Sequence, residues 1–440
     1  QLIQAISTTV PTNNAPPLRL GAAPRAELLA VNPTASTLAK ARALGFNVSP
    51  SPRLAALNLA VTPLVAPEGL SPERAAAVLQ QALPKVRFAQ NQKYRIYKTA
   101  TGIDDTAIPA KAGRACTPER CFAERIIGWK PALNHCASGV KVGIIDTSID
   151  LTHPAFAAKK PTLQHFGLNA QPEPDWHGTG VAAILAGYGK SDTPGLIPDA
   201  KFYVADVFHA DTDGEPASDT LSMLRAFDWL DANGVRLINM SLSGPPDDLV
   251  ASAIARLAAK GVVFVAAAGN EGPGAPPSYP AAYEQVIAVT AVGKDRRSYR
   301  YANRGDYIDM AAPGVGIWTA LPGARQGFHS GTSFAAPYIT ATLATLVARE
   351  PHSSAAELLA AMSFEDLGPP GPDPIYGKGL VRAPQNCGSA AVASAAPAAA
   401  PTARNTRNGL PANDLPPLAA APASTRPAGR EVLPWLGFNN

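Results

Sequence analysis

Four apolar runs of strand length lie in the middle of this 440-residue chain and constrain its fold more than any other feature. They span residues 201–208, 235–241, 262–267 and 286–292. Between them, residues such as Leu221, Leu224 and Phe227 recur at helical spacing, and glycines follow the helical segments. This alternation predicts an α/β fold with a buried parallel sheet, helices on both faces, and functional residues at the carboxyl ends of the strands.

Three polar residues stand at junctions that suit catalysis, in the order acid, histidine, serine. Asp146 ends the apolar run 141–146, His177 precedes a helix start made of small residues, and Ser333 lies where a loop meets the apolar run 338–348. A serine becomes a nucleophile when a histidine takes its proton and an acid orients that histidine. An isolated Gly-Thr-Ser is more simply a helix cap, so the interpretation depends on all three motifs together.

Together with Asn270, which directly follows an apolar run, these motifs resemble the subtilisin-like serine proteases, or subtilases, over residues 139–385. The resemblance implies a subtilisin-like fold, a catalytic triad of Asp146, His177 and Ser333, and Asn270 as the side-chain donor to the oxyanion. It also implies a segment that pairs with extended peptides, and residues around the main pocket and the opposite edge of the cleft. These substrate-binding residues are Ser241, Leu242, Ser243, Gly244, Ala268, Gly269, Glu271, Ser278, Asp213 and Gly214.

Several residues depart from the family pattern without removing a catalytic group. Ser148 replaces a glycine two residues after the acid, Gly180 replaces a second histidine, and Phe334 replaces the methionine that usually follows the nucleophile. Ser278 stands where a glycine is common, which predicts a shallower pocket. The acids of residues 211–215 either favour basic substrate side chains or belong to an ordinary solvated loop.

We expect no cofactor and no resident metal. Calcium needs six to eight oxygen ligands, and the strong calcium site of the family takes one from an acid at the position that Ala155 holds here. Lys190 stands where another oxygen ligand would be. The sequence therefore predicts that this site is absent, although calcium bound elsewhere stays open.

Residues 25–97 predict a small domain of their own. Its elements are a strand at 27–31, a helix at 34–44, extended runs at 46–48 and 58–65, a helix at 71–84 and a last strand at 85–97. This is a ferredoxin-like α+β order. Its place before the protease resembles a subtilase propeptide, which acts as folding chaperone and inhibitor; an unrelated appended domain is the alternative. We expect the last strand to lie in the catalytic cleft, with cleavage after Tyr97 or as late as Asp105.

Composition sets the remaining boundaries. We expect a disordered segment at 1–24, a linker at 98–121, the catalytic domain at 122–387, and a disordered Ala/Pro-rich tail with a short apolar end at 388–440. A formal net charge of +4 is too small for this length to predict nucleic-acid or membrane binding. No apolar run of about 18 residues occurs, so we expect no transmembrane helix.

Four cysteines flank the predicted catalytic core: Cys116, Cys121, Cys136 and Cys387. Their even number predicts disulfides formed in an extracellular or periplasmic compartment, whereas four free thiols in a cytosolic enzyme are the alternative. Of the pairings that four cysteines allow, we expect Cys116 with Cys121 and Cys136 with Cys387. The chain begins at Gln1 without a signal segment, so we expect it to have been trimmed already.

The resulting hypothesis is a secreted serine endopeptidase, made as a zymogen, that cleaves proteins or peptides through an acyl-enzyme on Ser333. Its own propeptide is the expected intramolecular inhibitor, and no nucleic-acid partner is expected. The rival is a non-catalytic relative that binds peptides, but such a protein has no need of Asp146, His177, Asn270 and Ser333 together. An esterase is a weaker rival.

Overall fold

The computed structural model describes residues 27–50, 52–96, 108–109, 117, 120–167, 175–188, 191–211 and 215–388. The predicted segment 1–24 and nearly all of the predicted tail lie outside the described residues, as does most of the predicted linker. Tyr97, Asp213 and Gly214 also lie outside them.

The first part of the chain, which we call the N-terminal unit (residues 27–96), contains an antiparallel sheet with two helices. Its elements are β1 (Glu27–Val31), α1 (Ala35–Ala43), β2 (Asn47–Val48), β3 (Arg53–Leu54), β4 (Leu59–Val65), α2 (Pro72–Ala82) and β5 (Arg87–Gln90). The strands lie in the order β2-β4-β1-β5, with β3 beside β4, which is the ferredoxin-like order. Thr34 and Ser71 cap the helices by accepting backbone N–H groups through their side chains.

Both faces of this small sheet are buried. Leu28 and Ala30 of β1 pack with Leu64 beneath the two helices. Leu29 and Val31 point to the opposite face, because side chains alternate along a strand, and they join the core of the following domain. The N-terminal unit therefore packs against the rest of the chain through a second apolar face.

The predicted last strand at 85–97 is wrong in one respect, because it is broken in two at residues 91–92. The strand β5 stays in the first sheet, whereas β6 (Lys93–Arg95) leaves it. The strand β6 pairs antiparallel with β12 (Pro216–Asp219), which belongs to the following domain. The end of the N-terminal unit therefore becomes part of that domain's surface.

The break at residues 91–92 helps to cap a helix of the following domain, α5 (Thr220–Ala232). The side-chain oxygen of Asn91 accepts the N–H of Leu221 at 3.1 Å, and the carbonyl of Gln92 accepts the N–H of Thr220 at 3.1 Å. The first N–H groups of a helix have no acceptor within the helix. The two residues that interrupt the strand thus satisfy donors of α5.

A second sheet of nine strands forms the core of the rest of the chain. Its strands are β8 (Lys141–Asp146), β9 (Thr162–His165), β10 (Lys201–Asp206), β13 (Leu237–Met240), β14 (Val263–Ala267), β15 (Val286–Val292), β16 (Met310–Pro313), β19 (Ser363–Glu365) and β20 (Leu380–Arg382). Their order is β19-β20-β16-β15-β14-β13-β8-β10-β9, and every neighbouring pair is parallel except β19 with β20. The predicted parallel sheet is confirmed.

Helices cover both faces of the large sheet. On one face lie α4 (Trp176–Ala186) and α7 (Thr332–Arg349). On the other lie α5 and α6 (Asp248–Ala259), which the N-terminal unit covers in turn. The remaining short elements are β7 (Ile108–Pro109), α3 (Phe122–Ile127), two 3-10 turns (Pro131–His135 and Pro154–Phe156), β11 (His209–Ala210), β17 (Ile317–Leu321), β18 (Arg325–His329) and α8 (Ala355–Ala360).

A disulfide joins Cys136 to Cys387, with the two Cα atoms 5.0 Å apart, as the sequence predicts. It ties the segment before β8 to the segment after β20. Cys116, the predicted partner of Cys121, lies outside the described residues. Within the described part of the chain, no helix has the length and apolar character needed to cross a bilayer.

Candidate active site

The end of β8 and the start of α4 bring Asp146 and His177 together. Asp175 caps α4 by accepting the N–H of His177 at 2.8 Å. Asp146 Oδ1 lies 2.7 Å from His177 Nδ1, and the two side chains are 0% and 1% exposed. The N–H of Thr147 donates to the same carboxylate oxygen at 2.7 Å. The imidazole proton therefore sits on Nδ1, which leaves Nε2 as the basic atom of the ring.

The pKa of His177 is raised above its ordinary value of 6.5. Burial alone lowers this pKa, but the negative charges of Asp146 and then Asp175 favour the imidazolium and outweigh burial. Among the described residues, none forms a hydrogen bond with Nε2, which is buried. The ring is thus oriented on one side and able to take up a proton on the other.

Ser333 is the second residue of α7, where backbone N–H groups have no acceptor within the helix. Pro337, four residues further on, has no N–H, so the Ser333 carbonyl lacks its usual helical partner. That carbonyl accepts the hydroxyl of Ser241 at 3.0 Å instead. The Ser241 hydroxyl oxygen accepts the Asn239 side-chain amide at 2.9 Å. This chain of bonds anchors the start of α7 to the end of β13.

The hydroxyl of Ser333 does not bond to His177 in this state. Its Oγ donates to the Ser241 carbonyl at 3.4 Å. The ring of the next residue, Phe334, lies 5.6 Å from the His177 ring, so the start of α7 packs against the histidine. In this position the hydroxyl proton of Ser333 is directed at the Ser241 carbonyl rather than at the histidine.

Asn270 is oriented by Thr332. Both the backbone N–H and the hydroxyl of Thr332 donate to Asn270 Oδ1 at 3.0 Å, so the amide's Nδ2 is directed away from them. A Cβ added at Gly331 would lie 3.2 Å from Nδ2, so the glycine leaves that group accessible. The start of α7 therefore has two N–H donors near Ser333, one from this side chain and one from the Ser333 backbone.

Two departures from the family pattern compensate each other. A Cβ added at Gly180 would lie 3.3 Å from Cε1 of Phe334. The absence of a side chain at position 180 thus makes space for a large ring at position 334, and that ring packs against Trp176 and His177. In the sequence Gly180 and Phe334 are two separate differences from the family, and only the contact between them in the structure relates one to the other.

Most of the predicted substrate-binding residues lie along two connected segments. Gly244 exchanges backbone hydrogen bonds of 2.8 and 3.1 Å with Tyr279, which joins the segment 241–244 to the loop of Ser278. Ser278 is buried. A Cβ added at Gly269 would lie 3.1 Å from the Cβ of Ser278, so the two residues lie close together. Glu271 is exposed at the rim. The others among the described residues are buried: Ser241, Leu242, Ser243 and Ala268.

The strand β6 lies between β12 and the segment 241–244. Arg95 and Ser243 exchange both backbone hydrogen bonds, at 2.8 and 3.0 Å. Tyr94 is wholly buried, and a Cβ added at Gly244 would stand 2.7 Å from its ring. The sequence predicts a strand at this place but not the contacts of Tyr94 and Arg95. The alternation Lys-Tyr-Arg around a single aromatic residue is the signal that could have found them.

At the position of the family's strong calcium site, residue 155 supplies no carboxylate. Ala155 is buried and offers only its carbonyl, which already accepts the N–H of Tyr188 at 2.7 Å. Lys190 lies outside the described residues. Across the described ranges, no group of three or more His, Cys, Asp or Glu side chains is placed to hold a metal ion.

A sequence model of the subtilase family matches residues 137–379, which is more than half of the chain. The match contains Asp146, His177, Asn270 and Ser333. The chain belongs to the subtilase family. The matched span begins just before β8 and ends just before β20, so the family core of this subtilase is the large sheet with its helices.

Three curated relatives of this subtilase come from bacilli. Minor extracellular protease Epr of Bacillus subtilis (strain 168) is 31% identical over 261 residues, covering 58% of this chain and 39% of that protein. Subtilisin E of the same strain is 32% identical over 230 residues, covering 50% and 59%. Subtilisin of Bacillus pumilus is 30% identical over 260 residues, covering 57% and 93%. The chain thus spans less than two thirds of Epr and of subtilisin E.

A solved structure shares the fold over a longer span. Fervidolysin from Fervidobacterium pennivorans, described as a keratinolytic enzyme related to subtilisin, superimposes with a TM-score of 0.64 at 21% identity. The superposition covers 83% of this chain and 61% of fervidolysin. At that identity the likeness concerns the fold alone, and it supports the subtilisin-like fold that the sequence predicts.

Proposed function

We propose that this subtilase is a serine endopeptidase made as an inhibited precursor, with its N-terminal unit occupying its own substrate cleft. The observation that carries the proposal is the buried pair of Asp146 and His177, 2.7 Å apart, beside a serine at a helix start. Family membership supports peptide-bond hydrolysis as the reaction.

In this proposal Ser333 is the nucleophile and His177 is the general base. Nε2 takes the hydroxyl proton as Oγ attacks the scissile carbonyl carbon, and it later gives that proton to the leaving amine. Water then hydrolyses the acyl-enzyme by the same route. Asp146 stabilises the imidazolium that forms in each step, which agrees with the raised pKa of His177.

Asn270 and the backbone N–H of Ser333 would stabilise the oxyanion of the tetrahedral intermediate. The bonds from Thr332 to Asn270 Oδ1 support this role, because they direct Nδ2 without any reorganisation during the reaction. In subtilisin itself, loss of the side-chain donor costs about 10²–10³ in kcat, and we carry that magnitude over to Asn270.

The backbone register of β6 supports an inhibitory role for the N-terminal unit. Arg95 pairs antiparallel with Ser243, so continuing the register by two residues would pair position 97 with Ser241. The carbonyl of Ser241 accepts the Ser333 hydroxyl. We therefore expect the first cleavage after Tyr97, with the product strand held in place by its backbone pairing.

Contacts away from the cleft support slow release of the N-terminal unit. Asp228 of α5 accepts the N–H groups of Ala56 and Leu57 at 2.7 and 3.2 Å. Lys260 donates to the Ala56 carbonyl at 2.9 Å. These bonds lie at one place beside the apolar face formed by residues such as Leu29, and the bonds and the apolar contact together would keep a severed unit docked.

We also propose that the enzyme is secreted. The Cys136–Cys387 disulfide supports an oxidising compartment. One relative is named an extracellular protease, which agrees with this location.

The test is a comparison of the full chain with its Ser333→Ala variant and a matched control, Ser252→Ala, whose hydroxyl is exposed on α6. The parent and the control should react with a fluorophosphonate probe, cleave an unstructured protein and shorten themselves. Ser333→Ala should do none of these while keeping its melting temperature, because only one oxygen atom is removed.

Substantial turnover by purified Ser333→Ala protein would overturn the mechanism. A parent that binds peptides but neither reacts with the probe nor cleaves would indicate the non-catalytic alternative. A parent that reacts with the probe and hydrolyses esters but no peptide bond would indicate an esterase.

A further inference from the structure

The polar face of β6 meets a carboxylate in the wall of the cleft. Lys93 and Arg95 lie on one face of the strand and Tyr94 on the other, because side chains alternate. Asp211 lies 2.7 Å from Lys93 Nζ through Oδ1 and 3.2 Å from Arg95 Nη2 through Oδ2. A single acid of the catalytic domain thus binds two cations of the strand.

With β6 in place, the acid is less exposed to solvent than its two partners. The Asp211 side chain is 8% exposed, whereas those of Lys93 and Arg95 are 48% and 42% exposed. The backbone N–H of Asp211 donates to the Glu215 carbonyl at 2.9 Å, which holds the Asp211 backbone after β11. Asp211 is therefore a built feature of the cleft, and the two basic side chains reach it from the strand.

We propose that Asp211 is a charge-selective subsite that favours substrates with basic side chains at the third and fifth residues before the cleaved bond. The inference rests on the proposed function, because it treats β6 as a substrate strand cut after Tyr97. In that register Arg95 is the third residue and Lys93 the fifth. The backbone pairing of Arg95 with Ser243 fixes the direction in which these side chains point. Asp211 then discriminates between substrates by the charge of those side chains.

The physical reason is the cost of a partly buried carboxylate. A basic side chain gives Asp211 a charge-assisted hydrogen bond, a neutral one leaves its charge less compensated, and an acidic one repels it. The wholly buried Tyr94 adds a second requirement, a large aromatic residue between the two basic positions. The preferred substrates are thus cationic extended segments with the alternation basic, aromatic, basic.

The experiment uses the enzyme after it has processed itself and its N-terminal unit has been removed, and three internally quenched peptides that differ at two positions. The first carries Lys-Tyr-Arg-Ile-Tyr, the sequence of residues 93–97; the second carries Gln at the two basic positions, and the third Glu. The parent is compared with Asp211→Asn and with Asp199→Asn. Asp199 stands two residues before β10, at the amino end of that strand and away from the carboxyl ends, so it gives the same charge change elsewhere.

For the parent and for Asp199→Asn, kcat/KM should be about tenfold higher for the basic peptide than for the neutral one, and lowest for the acidic peptide. The ratio should shrink as salt is added. In Asp211→Asn the ratio of basic to neutral should approach one, and the acidic peptide should gain relative to both.

A parent that cleaves the three peptides equally, or an Asp211→Asn enzyme that keeps the full preference, would overturn the subsite while leaving the proposed function intact. A fall of the preference in Asp199→Asn equal to that in Asp211→Asn would also overturn it, because the effect would then come from net charge. If the parent cleaves no peptide and fails to react with a fluorophosphonate probe, the proposed function is wrong and the subsite fails with it.

Discussion

Substitution of Tyr94 separates two opposing contributions to the docking of the N-terminal unit. The side chain is wholly buried, and a Cβ added at Gly244 would lie 2.7 Å from its ring. Its hydroxyl is also buried and has no hydrogen-bond partner among the described residues. The ring therefore favours docking, whereas the hydroxyl opposes it. Tyr94→Phe and Tyr94→Ala should consequently act in opposite directions.

The magnitudes follow from burial. A buried aromatic side chain removes about 150–250 Å² from water, which at about 25 cal/mol per Å² corresponds to about 4–6 kcal/mol. A buried hydroxyl without a partner costs about 1–3 kcal/mol. Tyr94→Ala should therefore weaken inhibition by about 3 kcal/mol, or about 10²-fold, and Tyr94→Phe should strengthen it by about 1 kcal/mol, or about fivefold.

The assay adds fragments of residues 1–97 to the mature enzyme and measures the competitive inhibition constant of each. Tyr94 follows the sheet of the N-terminal unit, so both variants should retain the fold of the fragment, which circular dichroism checks. Weaker inhibition by the Phe variant would show that the hydroxyl has a favourable partner in solution. No change with Ala, or no inhibition by the unaltered fragment at tens of micromolar, would refute the docking of β6 in the cleft.

Activity should fall as the pH drops through the pKa of His177, above 6.5, because only the neutral imidazole accepts a proton; a kcat/KM profile with its acid midpoint well below 6.5 would contradict the charge balance. Burial raises the pKa of Glu124 from 4.5 to about 7, so its contribution to stability is full at low pH and falls as the pH rises through that interval. The melting temperature of Glu124→Gln should therefore change less with pH between 4.5 and about 7 than that of the parent. A chelator should lower the melting temperature by less than about ten degrees, and a larger fall would reveal a structural calcium ion. Replacing Cys136 and Cys387 by serine should lower the free energy of unfolding in denaturant titrations by up to about 5 kcal/mol, because these cysteines lie 251 residues apart; an unchanged value would exclude this pair as a stabilising link.

The catalytic core could be predicted from the sequence because its strands are buried on both faces. Such strands appear as unbroken apolar runs, and the run 286–292 coincides with β15 (Val286–Val292). The run 201–208 extends two residues past β10 (Lys201–Asp206), since Val207 and Phe208 remain buried after the strand ends. Apolar periodicity reports burial, and it marks the end of a strand only where burial ends too.

The positions of the polar site residues followed from the same topology, but their hydrogen bonds did not. Asp146 ends β8 and Asn270 follows β14, and only β13 separates these two strands in one parallel sheet, so their convergence follows from the order of the strands. The bond of the Ser333 hydroxyl to the Ser241 carbonyl depends on a side-chain rotation, which leaves no trace in a pattern of apolar residues. The orientation of Asn270 likewise depends on two donors of Thr332 that bond to one side-chain oxygen, and the apolar pattern does not predict such bonds.

The N-terminal unit shows how a docking surface can be present in a sequence and still be missed. A strand of a sheet with helices on one face only should alternate between apolar and polar residues. The strand β1 reads Glu-Leu-Leu-Ala-Val and is apolar on both faces. Leu28 and Ala30 are covered by the helices of the unit, whereas Leu29 and Val31 lie on the face without helices and share a cluster with residues of the catalytic domain. The apolar residues on this second face imply a second packing surface, and the break at residues 91–92 lets β6 reach the same domain. The apolar face and the broken strand are therefore two parts of one adaptation to the catalytic domain, and a substitution such as Leu29→Lys should impair docking without touching the cleft.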